Sequence, residues 1–254
     1  MLASRRASAA TPDAAAVPTA LAAGGEAVAR DITDGDTLVL EDGREVRLVG
    51  IQAPKLPLGR PNFPTWPLAE AAKAALGELA LGHRLRLYYG GARLDRYGRA
   101  LAHLVDEAGT WIQGAMIERG MARTYSFADN RALVPELLRL EAAARDAGRG
   151  IWRLAWYRVR SPEQTVADID SFQLVEGRVV AVAERRAHSY LNFGPDWRTD
   201  FTLAADARAR RLCETSGLPL AGLEGRRIRA RGWIESFNGP MIELTHPEQI
   251  EVLE

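Results

Sequence analysis

Two dipeptides, Asp42-Gly43 and Asn238-Gly239, do most to constrain the fold, because each sits between short runs of alternating apolar residues. Both tolerate the positive φ angles of a tight hairpin turn. Leu38-Val39-Leu40 and Val46-Arg47-Leu48-Val49 flank the first, and residues 228–234 and 241–244 flank the second. Around the first hairpin, over residues 26–152, the periodicity reads strand, strand, strand, helix, strand, strand, helix, strand, helix. An Ala/Leu-rich helix runs between Trp66 and Leu81, with Thr65 as its N-cap, Pro67 in the first turn and Gly82 just past the end. Leu85, Leu87 and Tyr89 alternate as in a half-buried strand, residues 99–105 form the next, and residues 133–147 make an amphipathic helix ended by Gly148. Short strands and helices on one core predict a small closed barrel with appended helices.

A chain of 254 residues is long enough for two such units. Residues 156–170 read as a linker containing Ser161-Pro162. Strands over 174–182, 189–193 and 199–204, a helix over 207–214 and the two strands of the second hairpin follow the order of an OB-type barrel. The expected fold class is therefore mainly β with α: a five-stranded OB-type barrel with three helices over 26–155, and a second small OB-like barrel over 171–254. Residues 1–25 read either as a flexible leader or as a truncated export signal. Pro12, Asp13 and Pro18 interrupt the apolar core of about 7 to 15 residues that a secretory signal needs. The first reading leaves the protein cytoplasmic, the second periplasmic or secreted.

Thirty-three basic residues balance 33 acidic ones, so no global positive field draws in a polyanion and any such binding needs a local cluster. No apolar run is long enough to span a bilayer. A single cysteine, Cys213, excludes an internal disulfide framework and is most simply a buried small hydrophobe. His83, His103, His188 and His246 have no metal-ligand spacing.

Three segments carry the chemistry: Asp34-Gly35-Asp36-Thr37, then residues 47–55 (Arg-Leu-Val-Gly-Ile-Gln-Ala-Pro-Lys), then Asp95-Arg96-Tyr97-Gly98-Arg99. Each alone is a common turn or strand pattern. Their order and spacing, with the closing Gly150-Ile151-Trp152, resemble the thermonuclease (staphylococcal nuclease) family throughout 26–152. The resemblance implies engagement of nucleic-acid phosphodiesters, DNA or RNA and more readily single-stranded, with calcium as the cofactor. In the family's pattern Asp36 falls on a calcium-ligand position, Arg47 and Arg99 on the arginines that grip the scissile phosphate, and Tyr97 near the bound nucleotide. Two positions depart from it. Gln52 stands where the family has its second calcium-ligating Asp, and Lys55 where it has the Glu credited with activating water.

A Gln carbonyl ligates a hard cation without bringing negative charge, so calcium affinity falls. An ammonium at the base position repels the metal and is protonated at neutral pH. General-base assistance contributes about 100- to 10,000-fold, so hydrolysis by the family mechanism is expected to be weakened or lost. The alternative is a non-catalytic nucleic-acid-binding or protein-interaction scaffold. Glu45 and Asp34 offer replacement carboxylates, or else an arginine's partner and a turn cap. Lys55 with Arg47 and Arg99 would make a three-cation phosphate pocket. In the C-terminal unit Tyr190, Phe193, Trp197, Phe201, Trp233 and Phe237, beside Arg185, Arg186, Arg198, Arg229 and Arg231, fit either base stacking or core filling, with Phe201 and Trp233 expected in the core. That unit carries 11 Arg against 14 Asp and Glu from residue 168 on, so contact with a protein partner fits it as well.

Overall fold

The computed structural model describes residues 21–253. In the first unit the elements are β1 (Ala22–Asp34), β2 (Thr37–Leu40), β3 (Glu45–Leu48), β4 (Ile51–Gln52), α1 (Ala69–Ala80), β5 (Arg84–Tyr89), β6 (Ala100–Val105), α2 (Ile112–Glu118), β7 (Arg123–Thr124) and α3 (Val134–Asp146). Strands β1-β2-β3-β6-β5 form a closed barrel, with β5 returning to β1 and β3 parallel to β6. Alternation sends Leu38, Leu40, Leu48, Leu85 and Leu87 inward to a core completed by Leu76 of α1 and Ile112 and Met116 of α2. Truncating one such leucine to Ala costs about 2–5 kcal/mol.

Two starts in the first unit differ from the sequence reading. Strand β1 starts at Ala22, inside the span expected as leader, because Ala22 and Ala23 pair with Tyr89 and Tyr88 of β5; residues 1–20 lie outside the described residues. Helix α1 starts at Ala69 rather than at a Thr65 cap, and Leu68 before it has φ 67°. Pro67 disfavours helical backbone at Trp66, whose N–H donates to Lys55 O at 2.9 Å. This contact anchors the Lys55 segment against the start of the helix.

Residues 156–170, expected as a linker, include short 3-10 turns at Ala155–Tyr157 and Pro162–Asp168, the latter opened by a Ser161 capping box with Gln164. The remaining elements are β8 (Ser171–Arg178), β9 (Ala181–Glu184), β10 (His188–Asn192), β11 (Thr202–Asp206), α4 (Ala207–Thr215), β12 (Arg227–Ser236), β13 (Pro240–Leu244) and β14 (Ile250–Val252). The ladder runs β9-β10-β11-β13-β12-β8, with β11 parallel to β13 and β14 on the other end of β12. The short β14 has no strong periodic signal and lies outside the strands expected from the sequence. Phe193 and Phe201 fill this core as expected for Phe201, but Trp233 does not: Ile234 takes the inward position on β12, and Trp233 is left on the outer face.

The two units are joined by buried charge. Arg231 of β12, 1% exposed, forms ion pairs with Glu141 of α3 at 2.7 Å and with Glu251 of β14. Glu141 also accepts the Thr124 N–H at 2.8 Å, which ties β7 into the same network. Breaking such a pair by removing one partner costs about 3–5 kcal/mol, since the other charge stays buried. Arg229 is likewise committed, to Glu176 and Glu251, so neither arginine is a cation available to a nucleic acid. No helix of the described residues is long and apolar enough to cross a membrane.

Candidate functional site

The Asp34–Thr37 turn packs tightly because Gly35 lies against Ala53 and Ala72; a Cβ there would come within 2.7 Å of both methyls. Asp34 Oδ1 accepts the Asp36 N–H at 3.0 Å and Asp36 Oδ2 accepts the Ala53 N–H at 2.7 Å. Asp34 is thus the turn cap, and the fully buried Asp36 carboxylate faces the 52–55 segment. Lys55 Nζ sits 2.7 Å from both Asp36 carboxylate oxygens and 3.4 Å from Asp34 Oδ2. Arg47 Nε approaches Asp36 Oδ1 at 3.3 Å, and its Nη2 donates to Ile51 O at 2.6 Å.

Burial pushes the Asp36 carboxyl up, but Arg47, Lys55 and the Ala53 N–H outweigh it and bring it down to about 2. Burial, joined by the negative charge of Asp36, raises Asp34 above the ordinary carboxylate range against the pull of Lys55. Asp36 is therefore firmly ionised at neutral pH, with the Lys55 side chain on it.

Gln52 is also occupied. Strands β4 and β7 pair Gln52 with Arg123, and Arg123 donates to Gln52 Oε1 from Nη2 at 2.7 Å and from Nε at 3.0 Å. Burial lowers Arg123 to about 10, which still leaves it charged at neutral pH. Its guanidinium lies 4.6 Å from the Phe172 ring of the second unit. Arg123 escapes sequence reasoning because only the fold brings it to Gln52, and nothing local marks a lone Arg on a two-residue strand.

The calcium that the resemblance implies does not fit these residues. An ammonium lies within hydrogen-bonding distance of Asp36, a guanidinium holds the Gln52 carbonyl, and the second expected acid is absent. No cluster of three or more His, Cys, Asp or Glu able to hold a metal occurs among the described residues.

Beside this cation-filled turn opens a cleft of about 500 Å³ whose lining includes Arg47, Arg96, Tyr97, Arg99, Tyr125 and Asn130. Asp95 builds its mouth: Oδ1 accepts the N–H groups of Tyr97 and Arg99 at 2.9 and 3.0 Å, and Gly98 at φ 80° lets the chain turn between them. Arg99 is held by Asp95 Oδ2 at 2.8 Å and lies 3.9 Å from Glu45, so Glu45 is an arginine's partner. Tyr97 is 70% exposed at the rim. Lys55 does not line the cleft, because the two aspartates hold it; Arg96 supplies the third cation that the sequence reading assigned to Lys55.

The wall at 125–131 is fixed by the second unit. Tyr125 packs edge-on against Phe172, Ser126 Oγ lies 2.7 Å from His246 Nε2, and Arg131 Nε and Nη2 each donate to Glu248 Oε1 or Oε2 at 2.8 Å.

A family model described as "Staphylococcal nuclease homologue" matches residues 45–154, which carry Arg47, Gln52, Lys55, Tyr97 and Arg99. Over 138 residues the chain is 35% identical to "Protein ParB" of Escherichia coli, covering 48% of this chain and 68% of that protein. The chain belongs to the staphylococcal nuclease homologue family. It is also 31% identical over 107 residues to the thermonuclease of Staphylococcus intermedius, covering 39% of this chain and 59% of that one. The thermonuclease of Staphylococcus hyicus is 26% identical over 129 residues, or 48% and 72% of the two chains. The matched stretch thus spans little more than half of the first of these thermonucleases, and the family-model match takes in β3, β5 and β6 of the barrel and the residues of its cleft, while β1, β2 and Asp36 precede it.

Proposed function

We propose that this chain is a nuclease homologue that grips a nucleic-acid phosphodiester in the Arg47/Arg96/Arg99 cleft without a divalent cation, its calcium-dependent hydrolysis lost. The observation that carries the reading is Lys55 Nζ at 2.7 Å from both oxygens of Asp36. The internal ammonium neutralises the carboxylate that a metal would need, and no carboxylate stands where a base would act. The guanidiniums remain at the cleft, Arg47 held by Asp36 and by the Leu48 and Ile51 carbonyls and Arg99 by Asp95, and arginines present planar forked donors suited to phosphate oxygens. Tyr97 at the rim offers a ring to a base or sugar. Single strands fit better than duplex, because a base must leave its stack to reach such a ring. In this reading residues 171–254 form an OB-like barrel that braces the cleft wall.

Purified protein and its Arg47→Ala variant, incubated with single-stranded DNA and RNA in calcium, magnesium or EDTA, test this. The expected result is no cleavage under any condition, with salt-sensitive binding that Arg47→Ala weakens. Metal-dependent cleavage that disappears in Arg47→Ala refutes it, and absence of both cleavage and binding leaves a protein-interaction scaffold.

A further inference from the structure

The second unit has a cavity of its own, of about 300 Å³, remote in sequence from the Arg47 cleft and lined in part by Arg185, Tyr190, Asn192, Trp197, Thr202 and Phe237. Its floor is sheet: Asn192 of β10 pairs with Thr202 of β11, which pairs with Met241 of β13. Its walls are two loops carrying large rings toward solvent, Trp197 at 50% and Phe237 at 58% exposure. Single exposed rings are ordinary, but two of them over one cavity form an apolar patch of the kind that marks a binding surface.

The loops are braced. The Asp196 N–H donates to Asp200 Oδ2 at 2.8 Å, closing the Trp197 loop. The Phe237 N–H donates to Gly239 O at 2.9 Å, and Gly239 lies so close to the Thr199 backbone that a Cβ would come within 2.6 Å of Thr199 O. The two ring-bearing loops therefore pack on each other, so the backbone that carries the rings is braced before anything binds.

We propose that this cavity receives an unstacked nucleobase of a single-stranded nucleic acid, held by its faces rather than its phosphates. Flat rings at the mouth match a π-face. Asn192, Thr202, Asn238 and Arg185 line the cavity with polar groups that suit the edge of a base better than an aliphatic peptide side chain, and Thr202 Oγ1 donates to Asn192 Oδ1 at 3.3 Å. The Arg198 guanidinium lies 4.4 Å from the centroid of the Trp197 ring, adding a cation to the mouth. From residue 168 on, 14 Asp and Glu outnumber 11 Arg, so no net positive charge drives a phosphate mode and stacking is left as the main source of affinity. The inference rests on the proposed function only for the strand that supplies the base.

The test uses the full chain and a short fluorescein-labelled oligothymidylate, read by anisotropy and by quenching of tryptophan fluorescence. Trp197→Ala and Phe237→Ala should each weaken binding by about 5- to 150-fold, the loss of one stacked base, with thermal unfolding unchanged. Arg47→Ala/Arg99→Ala should keep a weaker, quenching interaction whose salt dependence is shallow. If both aromatic variants bind like wild type while the arginine variant loses all binding, this inference falls and the proposed function stands. If the aromatic variants lose binding and the arginine variant binds as tightly as wild type, the reverse holds. An apolar peptide that binds the cavity while the oligothymidylate causes no quenching also overturns the assignment.

Discussion

Replacing Lys55 with Met keeps the side-chain stem and removes only the charge, leaving Asp36 fully buried with Arg47 as its one nearby cation. Holding Asp36 at about 2 instead of 3.8 is a net gain of about 2 kcal/mol, left after Arg47, Lys55 and the Ala53 N–H have offset the cost of burial. Removing one partner of a buried pair costs about 3–5 kcal/mol, and because Lys55 is partly exposed the low end applies, about 3 kcal/mol. For a chain of this size that lowers Tm by about 6–12 °C. The pH dependence follows from the signs. Asp36, with its folded pKa below 3.8, adds stability that is present above 3.8 and fades as the pH falls toward 2. Asp34, raised above 3.8, does the reverse: its ionisation costs stability at neutral pH, and acid relieves that cost. Without Lys55 both carboxyls rise, so the deficit of the variant should be largest at neutral pH and narrow as the pH drops toward about 4. Thermal unfolding of both proteins at neutral and acidic pH measures it. A Tm within about 2 °C of wild type at neutral pH would refute the ammonium's role.

Three further outcomes are expected. Gln52→Asp/Lys55→Glu supplies the two acids that the resemblance implies, yet the carboxylate introduced at position 52 would meet the Arg123 guanidinium that now holds the Gln52 carbonyl. Calorimetry should therefore detect calcium binding only after Arg123→Val is added. His103 and His246 are both held down at about 4 by burial, so the folded state excludes protons that the unfolded chain takes up below about 6.5. Urea unfolding should show stability falling from pH 6.5 to 4 by up to about 3 kcal/mol per histidine, a slope that His246→Gln reduces. Glu141→Gln leaves Arg231 with Glu251 as its acidic partner, so it should cost up to about 3 kcal/mol in the same assay, loosening the 125–131 wall, which hydrogen exchange at Tyr125 would report.

Much of the barrel was legible in the sequence because turn chemistry and alternation are local: Asp42-Gly43 fixes the β2-β3 hairpin, and the Gly148 end of α3 follows from its periodicity. The site was legible as positions but not as chemistry. Gln52 and Lys55 stand out as departures from a pattern, whereas the partners that explain them are brought in by topology. Arg123 reaches Gln52 only through the β4-β7 pairing, and Lys55 reaches Asp36 only because Gly35 packs on Ala53. Arg229 and Arg231 misled for the same reason: their acids lie on α3, β8 and β14, far apart in the chain.

The most direct measurement of the central claim is the affinity for a single-stranded oligonucleotide in EDTA and in calcium across a salt series. A metal-free arginine clamp predicts equal affinity in both, with log K falling by about 0.7 per phosphate contact per decade of salt and a shallower slope in Arg99→Ala. Binding that requires calcium, or a slope that Arg99→Ala leaves unchanged, would contradict it.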